Sequence, residues 1–272
     1  QIFIQAPTGI GKTMSAIFPA VRAVGQGKGE TVFYLTARTI TRTVAEDAFS
    51  ILRGKGLHFK SITITAKEKM CFCDEMDCDP QKCPYAKGHY DRINDAVYEL
   101  WTKEEAFDRE TILAQAEKYS VCPFEMTLDL AVWMDGIVCD YNYVFDPNVY
   151  LKRFFGENIK GKYLFLIDEA HNLVDRGREM YSATLCKEEI ESTRRFVRSH
   201  SNRLYRMLGK AAKQLEVLKE ESSSSWQVLE NAGTLPVALL SIQGEMDKLL
   251  EEPPSQEFVD GILEFYFAVR DF

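Results

Sequence analysis

The chain has 272 residues, 46% hydrophobic and 27% charged, the composition of an ordinary globular protein with room for one large domain or two modest ones. A formal net charge of −8 excludes a surface that coats nucleic acid wholesale, while a local basic groove stays compatible with it. No apolar run is long enough to cross a bilayer, and seven unevenly spread cysteines argue against a disulfide framework and for a reducing, cytoplasmic setting.

IFIQA at 2–6 reads as a strand already under way, so an upstream segment is expected and no signal peptide is seen. Helical spacing follows from 11 to 24, then the β-rich run TVFYLT at 31–36, a helix over 40–53 and SITIT at 61–65. This βαβαβ rhythm predicts an α/β fold with a parallel sheet and helices on its faces. The rhythm breaks over 67–122, which carries four of the cysteines within 71–83, a helical run near 91–101 and little other apolar periodicity. PFEMTLDLAVWMDG at 123–136 reads as helical, and IVCDYNYVF (137–145) and KYLFLIDEAH (162–171) as returning strands. Beyond 180 only helices are expected, over 187–220, over 235–251 and from 256 onward. The expected organisation is an α/β domain from 1–66 and 123–180, an insertion at 67–122 and an α-helical region at 181–272.

APTGIGKT at 6–13 lies between a strand and a helix and matches the phosphate-loop pattern, with Ala6 where a glycine is usual. Small residues let backbone N–H groups curl around a phosphate, and the helix N-terminus adds partial positive charge. The expected nucleotide contacts are Ala6, Pro7, Thr8, Gly9, Ile10, Gly11, Lys12 and Thr13. Lys12 supplies charge to the β- and γ-phosphates of ATP, and the Thr13 hydroxyl reaches Mg2+.

FLIDEAHN at 165–172 is an apolar strand ending in two carboxylates, at the sheet edge where open α/β proteins bind ligands. Asp168 is expected to hold Mg2+ through water and Glu169 to orient or deprotonate the attacking water. Alone, an acidic pair after a strand is usually a helix N-cap; a phosphate loop 155 residues earlier turns it into the second half of an NTPase site.

DEAH at 168–171 is the signature of superfamily-2 helicases, and a four-cysteine insertion between phosphate loop and DEAH box resembles the XPD/DinG branch, the iron–sulfur helicases. YLTARTITRTV (34–44) resembles that branch's motif Ia, CPFEMTLDLA (122–131) its segment with the last cluster cysteine, and CDYNYVFDP (139–147) the segment after it. The resemblance spans most of 1–176; the helical remainder is placed like the branch's Arch domain but carries no matching motif. It implies a RecA-like fold and an ATP-dependent DNA helicase, moving 5′ to 3′ on single-stranded DNA and acting at DNA junctions as a monomer, nucleoid-associated if bacterial. It also implies that Thr36, Arg38 and Arg42 contact DNA phosphates and that His171 couples nucleotide to DNA.

The cysteines run C-x-C-x4-C-x4-C from Cys71, with 38 residues between Cys83 and Cys122. This spacing is metal-binding in character; the absence of a C-x2-C pair weakens a zinc ribbon, and spacing alone leaves zinc and iron–sulfur both open. The resemblance selects a [4Fe–4S] cluster on Cys71, Cys78, Cys83 and Cys122, with Cys73 an alternative to Cys71, acting as a staple on the insertion. Cys139 reads as a core hydrophobe, and Cys186 has no assigned role.

Around these thiols Lys67, Lys69, Lys82, Lys87, His89 and Arg92 alternate with Phe72, Tyr85 and Tyr90, a mix suited to single strands but diluted by nearby acids. Arg195, Arg198, Arg206, Lys210 and Lys213 fall at helical multiples and form one basic stripe, a plausible wall of the DNA passage that the resemblance implies. No second motor half is present up to Phe272, so the chain alone is expected to bind nucleotide weakly and hydrolyse it hardly at all. The rival readings are a non-motor scaffold with a vestigial phosphate loop and structural zinc, and a helicase of RNA or DNA–RNA hybrids.

Overall fold

The computed structural model describes residues 1–7, 9–37, 39–220, 225–226 and 228–272. Among them, strands β1 (Thr31–Leu35), β2 (Ser61–Thr63), β3 (Ala106–Phe107), β4 (Gly136–Cys139) and β5 (Tyr163–Ile167) form one sheet in the order β3-β2-β4-β1-β5. Every pairing is parallel; Phe33 of β1 lies opposite Ile137 of β4 and Phe165 of β5. All five residues of β1 are buried, as an unbroken apolar run covered on both faces should be.

Helices α1 (Lys12–Gly25) and α2 (Thr39–Arg53) cover one face, where Ile17, Val21, Ala45 and Phe49 pack on Val32, Tyr34 and Val138. On the other face lie α3 (Lys67–Met70), α4 (His89–Lys103), α5 (Arg109–Tyr119), α6 (Pro123–Ala131), α7 (Asn142–Phe145) and α8 (Lys152–Phe155). Their Met70, Ile93, Ile112, Met126, Tyr143 and Phe154 join one core with Phe33, Leu35, Ile62 and Ile137. A short 3-10 turn at Ala170–Asn172 then leads from β5 into α9 (Leu173–Met180).

A second compact unit spans Tyr181–Phe272. It comprises α10 (Lys187–Val197), α11 (Asn202–Glu220), α12 (Leu235–Glu251) and α13 (Gln256–Asp271) around its own core of Ile190, Leu204, Leu208, Ile242, Phe258 and Ile262. No helix among the described residues is long and apolar enough to cross a membrane.

Three expectations from sequence need correction. Residues 2–6 form no strand, and Ile2, Phe3 and Ile4 are exposed. A strand exists only beside a hydrogen-bonded neighbour, and residues 2–6 pair with none of the sheet's five strands. The run 137–145 is strand only to Cys139; the Asp140 carboxylate accepts the Asn142 N–H at 3.1 Å, and the turn this makes opens α7. The helix expected over 187–220 breaks at 198–201, where the Ser201 hydroxyl accepts the Leu204 N–H at 3.2 Å and starts α11. Residues 67–122, expected as an insertion, add β3 to the sheet edge, and α4 and α5 bury their apolar faces in the sheet's core.

One carboxylate is buried against β2. Thr63 donates its hydroxyl to Glu46 of α2, and burial raises the Glu46 carboxyl above its ordinary value of 4.5. A raised carboxyl pKa contributes stability that is present in acid and lost as pH rises through the folded value. Glu46→Gln, which stays neutral, is therefore expected to unfold at higher denaturant concentration than the parent at pH 7.5, the advantage vanishing toward pH 4. Urea melts across that range measure it.

Candidate functional site

Three pieces of chain meet at the C-terminal edge of the sheet. The first is the turn before α1. Gly9 and Gly11 have φ of 84° and 79°, a left-handed backbone that side chains resist, so glycine is needed to turn the chain into the helix. Neither a capping side chain nor an acidic residue occupies the first turn of α1, which leaves its N–H groups and positive dipole end for an anion. Ala6, Pro7, Gly9, Ile10 and Gly11 lie along this turn; Thr8 lies outside the described residues.

The second piece is the end of β5. Its partner β1 carries it to the same edge, and the Asp168 N–H extends the ladder by donating to the Leu35 carbonyl at 2.9 Å. Glu169 departs from the strand with φ 49°. Asn172 holds that bend, its side-chain amide donating to the Glu169 carbonyl at 3.1 Å. Lys12 Nζ donates to Glu169 Oε1 at 3.2 Å, and His171 Nδ1 lies 3.4 Å from Glu169 Oε2. The phosphate-loop lysine and both acidic-motif partners thus share one site, although 157 residues separate Lys12 from Glu169.

The third piece, absent from the sequence reading, is a pair of buried tyrosines. Tyr34 of β1 is buried, and that burial pushes its pKa up to about 12. Tyr141, fully buried, donates to the Asp168 carbonyl and lies 3.3 Å from that of Glu169; burial first, and then Asp168, push its pKa up to about 12. Both sit inside quoted motifs, but nothing in their spacing marks them as other than core aromatics.

The residues expected at DNA phosphates are differently placed. Thr36 is buried, its hydroxyl hydrogen-bonded to Thr41, and Arg38 lies outside the described residues. Arg42 is half-buried and turned inward, with Nη2 3.6 Å from Asp140 Oδ2. Arg176 of α9 meets the same carboxylate at 3.2 Å and donates to Asn142 Oδ1 at 2.7 Å. Asp140 therefore ties the helix after β1 to the helix after the acidic motif.

The thiols gather on the other side of the sheet's core. Desolvation, followed by the neighbouring Cys83 and Cys71, pushes the Cys73 thiol up to about 11. Lys67 accepts the Cys71 N–H with its carbonyl at 2.9 Å, and Cys78 and then Cys122 act to raise the pKa of its ammonium. Thiolates are soft donors of the kind that an iron–sulfur cluster or zinc takes. Among the described residues no three of the metal-binding side chains are disposed as a finished cage. The buried His89 accepts the Cys122 N–H at 3.2 Å, and Arg92 is spent on the Lys87, Tyr119 and Ser120 carbonyls, so neither serves as an exposed basic group. Lys82 pairs with Asp77. Phe72 and Tyr85 pack on each other at 4.8 Å, and Tyr90 remains exposed.

In the helical unit the basic stripe is divided by the break at 198–201. Arg206 and Lys210 line a surface groove of about 440 Å³ with Arg203 and Met207, and Arg203 lies 3.2 Å from Glu245.

Comparison with known proteins shows what the chain is similar to. The DEAD_2 family model matches residues 57–190. The chain is 32% identical over 90 residues to the Fanconi anemia group J protein homolog of Gallus gallus, covering 33% of this chain and 7% of that protein. It is 21% identical over 224 residues to Regulator of telomere elongation helicase 1 of Rattus norvegicus, covering 78% of this chain and 17% of that one. The chain thus spans under a fifth of the length of these curated relatives. Among solved structures, "Truncated XPD" superposes with a TM-score of 0.52 at 20% identity, over 96% of this chain and 76% of that one. "XPD_Helicase" does so with a TM-score of 0.50 at 18% identity, over 98% and 47%.

The Asp140 bridge carries a direct test. Removing the carboxylate leaves two guanidinium groups facing each other in a half-buried place. Asp140→Ala is expected to cost roughly 2 kcal/mol in denaturant melts, and Arg176→Ala less, since Arg176 is the more exposed partner.

Proposed function

We propose that this chain, an XPD/DinG-type superfamily-2 helicase by sequence and fold, forms the ATP-binding part of a motor that uses ATP hydrolysis to move along single-stranded DNA and part duplexes. The observation that carries the reading is the meeting of Lys12 with Glu169 at 3.2 Å on one sheet edge, beneath an uncapped helix N-terminus. In the nucleotide-free arrangement Lys12 and Glu169 neutralise one another. A bound triphosphate draws Lys12 to its β- and γ-oxygens and frees Glu169 to orient or deprotonate water. Thr13 and Asp168 would hold Mg2+, which would supply positive charge to the phosphates. His171, beside Glu169, passes the state of that carboxylate to the nucleic-acid side.

Thr36, Arg38 and Arg42 are assigned to DNA phosphates, which position a strand without reading its sequence. Arg42 must then leave Asp140, so strand binding and the hold on α9 compete for one side chain. Movement 5′ to 3′, action at junctions and a monomeric state belong to the same proposal. Cys78, Cys83 and Cys122, with Cys71 or Cys73, would hold a [4Fe–4S] cluster. Such a cluster supplies a rigid cross-link, here between α3 and the start of α6. A structural zinc on the same thiols is the second reading, since zinc is also bound by cysteine thiolates.

Two outcomes are expected. Lys12→Ala lowers affinity for ATP at least tenfold by equilibrium dialysis, since the lysine is the site's one formal positive charge toward phosphate; unchanged affinity would remove the nucleotide from the site. Anaerobically purified protein contains iron and acid-labile sulfide with visible charge-transfer absorbance, and Cys83→Ser and Cys122→Ser lose them while Cys186→Ser keeps them. Stoichiometric zinc without iron would instead establish the structural-zinc reading.

A further inference from the structure

Cys83 and Cys122 lie on separate stretches of chain, one before α4 and one after α5. Side chains of α4 tie the two stretches together. His89, 5% exposed, accepts the Cys122 N–H on Nδ1 at 3.2 Å. A ring nitrogen that accepts carries no proton, so the hydrogen of the imidazole sits on Nε2. Three residues further along α4, Arg92 donates from Nη2 to the Lys87 carbonyl at 2.9 Å and to the Ser120 carbonyl at 2.6 Å, and from Nε to the Tyr119 carbonyl at 2.9 Å. Lys87 in turn donates its N–H to the Cys83 carbonyl at 3.1 Å. A path of hydrogen bonds therefore runs from Cys83 through Arg92 to the residues just before Cys122. Two backbone positions are shaped to it. Ser120 stands at φ 52°, a left-handed conformation that residues with side chains resist. Gly88 has φ 66°, and a Cβ there would come within 2.6 Å of Arg92 Nη1. All of these bonds run between nitrogen and main-chain atoms and none uses a sulfur, so none of them depends on a metal.

We propose that His89 and Arg92 are positioning residues that hold the Cys83 and Cys122 arms in register before a metal binds, so that its entry does not have to order them. This rests on the reading of the cysteines as metal ligands and adds to it two residues that the cysteine spacing does not reveal. Arms ordered in advance lose less conformational freedom on binding, and groups that orient metal ligands typically govern affinity by about ten- to hundredfold.

The test uses the full chain, reduced and metal-free, with Co2+ alone as the probe; its thiolate charge-transfer and d–d absorbance report affinity and coordination. Arg92→Met keeps the stem, removes the guanidinium and is expected to weaken Co2+ binding about tenfold or more. His89→Leu is expected to act in the same direction and serves as the second variant if Arg92→Met fails to fold. His89→Asn, whose amide oxygen can accept the Cys122 N–H, is expected to bind Co2+ like the parent; an Asn variant as weak as His89→Leu would overturn the role given to that hydrogen bond. The Cys122 amide proton of the metal-free parent is expected to exchange with solvent more slowly than that of His89→Leu, and equal rates would sink the claim that the arms are held before metal. A merely structural role would lower the melting temperature of the metal-free variants and leave their Co2+ affinity at the parent's. If Arg92→Met and His89→Leu both bind Co2+ like the parent while Cys83→Ser and Cys122→Ser lose it, the positioning proposal falls and the metal reading stands. If the parent takes up no Co2+, or if Cys83→Ser and Cys122→Ser both bind it undiminished, the metal reading itself falls and this proposal with it.

Discussion

The parallel pairing of β1 with β5 is the constraint on which the rest depends. It brings the end of the acidic motif beside the strand that follows the phosphate-loop helix, residue by residue from Thr31 opposite Tyr163 to Leu35 opposite Ile167. One further ladder bond, from the Asp168 N–H to the Leu35 carbonyl, extends that pairing to the first carboxylate. In a parallel sheet the strand ends collect on one edge, and α1 packs on the same pair of strands through Ile17, Val21, Leu164 and Leu166. A shift of β5 by one residue would turn its side chains to opposite faces and dismantle both the core and the site.

That edge is held by buried hydroxyls as well as by the ladder. A tyrosine hydroxyl buried without a partner costs free energy, so its position reports where a partner must be. Tyr141 resolves that need on the acidic motif, at the Asp168 carbonyl. Asp140, next to Tyr141 in sequence, joins Arg42 to Arg176. The short segment after β4 therefore touches both the proposed nucleotide site and the helix proposed to meet the DNA.

The cysteine region shows how a segment without a core of its own is stabilised. Its helices bury Ile93, Ala96, Leu100, Ile112 and Ala116 against the sheet. The thiol-bearing turns at 71–83 have little such packing; Cys78 and Cys122 lie near Lys67, and Cys71 and Cys83 near Cys73. A metal centre bound by several thiolates would suit such turns, because it cross-links a loop whose apolar content cannot.

The sequence by itself determined the α/β class, the phosphate loop, the acidic strand end and the grouping of thiols, because each rests on local chemistry. A Gly-Lys-Thr turn, an apolar run closed by carboxylates and a tight cysteine spacing carry their meaning within a few residues. Tertiary structure decided what local pattern leaves open. IFIQA has strand propensity yet pairs with none of the five strands, and the 67–122 segment has helices whose apolar faces are buried against the sheet. Arg42 carries the charge expected of a phosphate contact, yet its neighbour in space is Asp140, 98 positions away. Tyr141 looks like any core aromatic along the chain; its hydroxyl's partner, the Asp168 carbonyl, lies 27 residues on, and only the folded sheet brings the two within hydrogen-bonding reach.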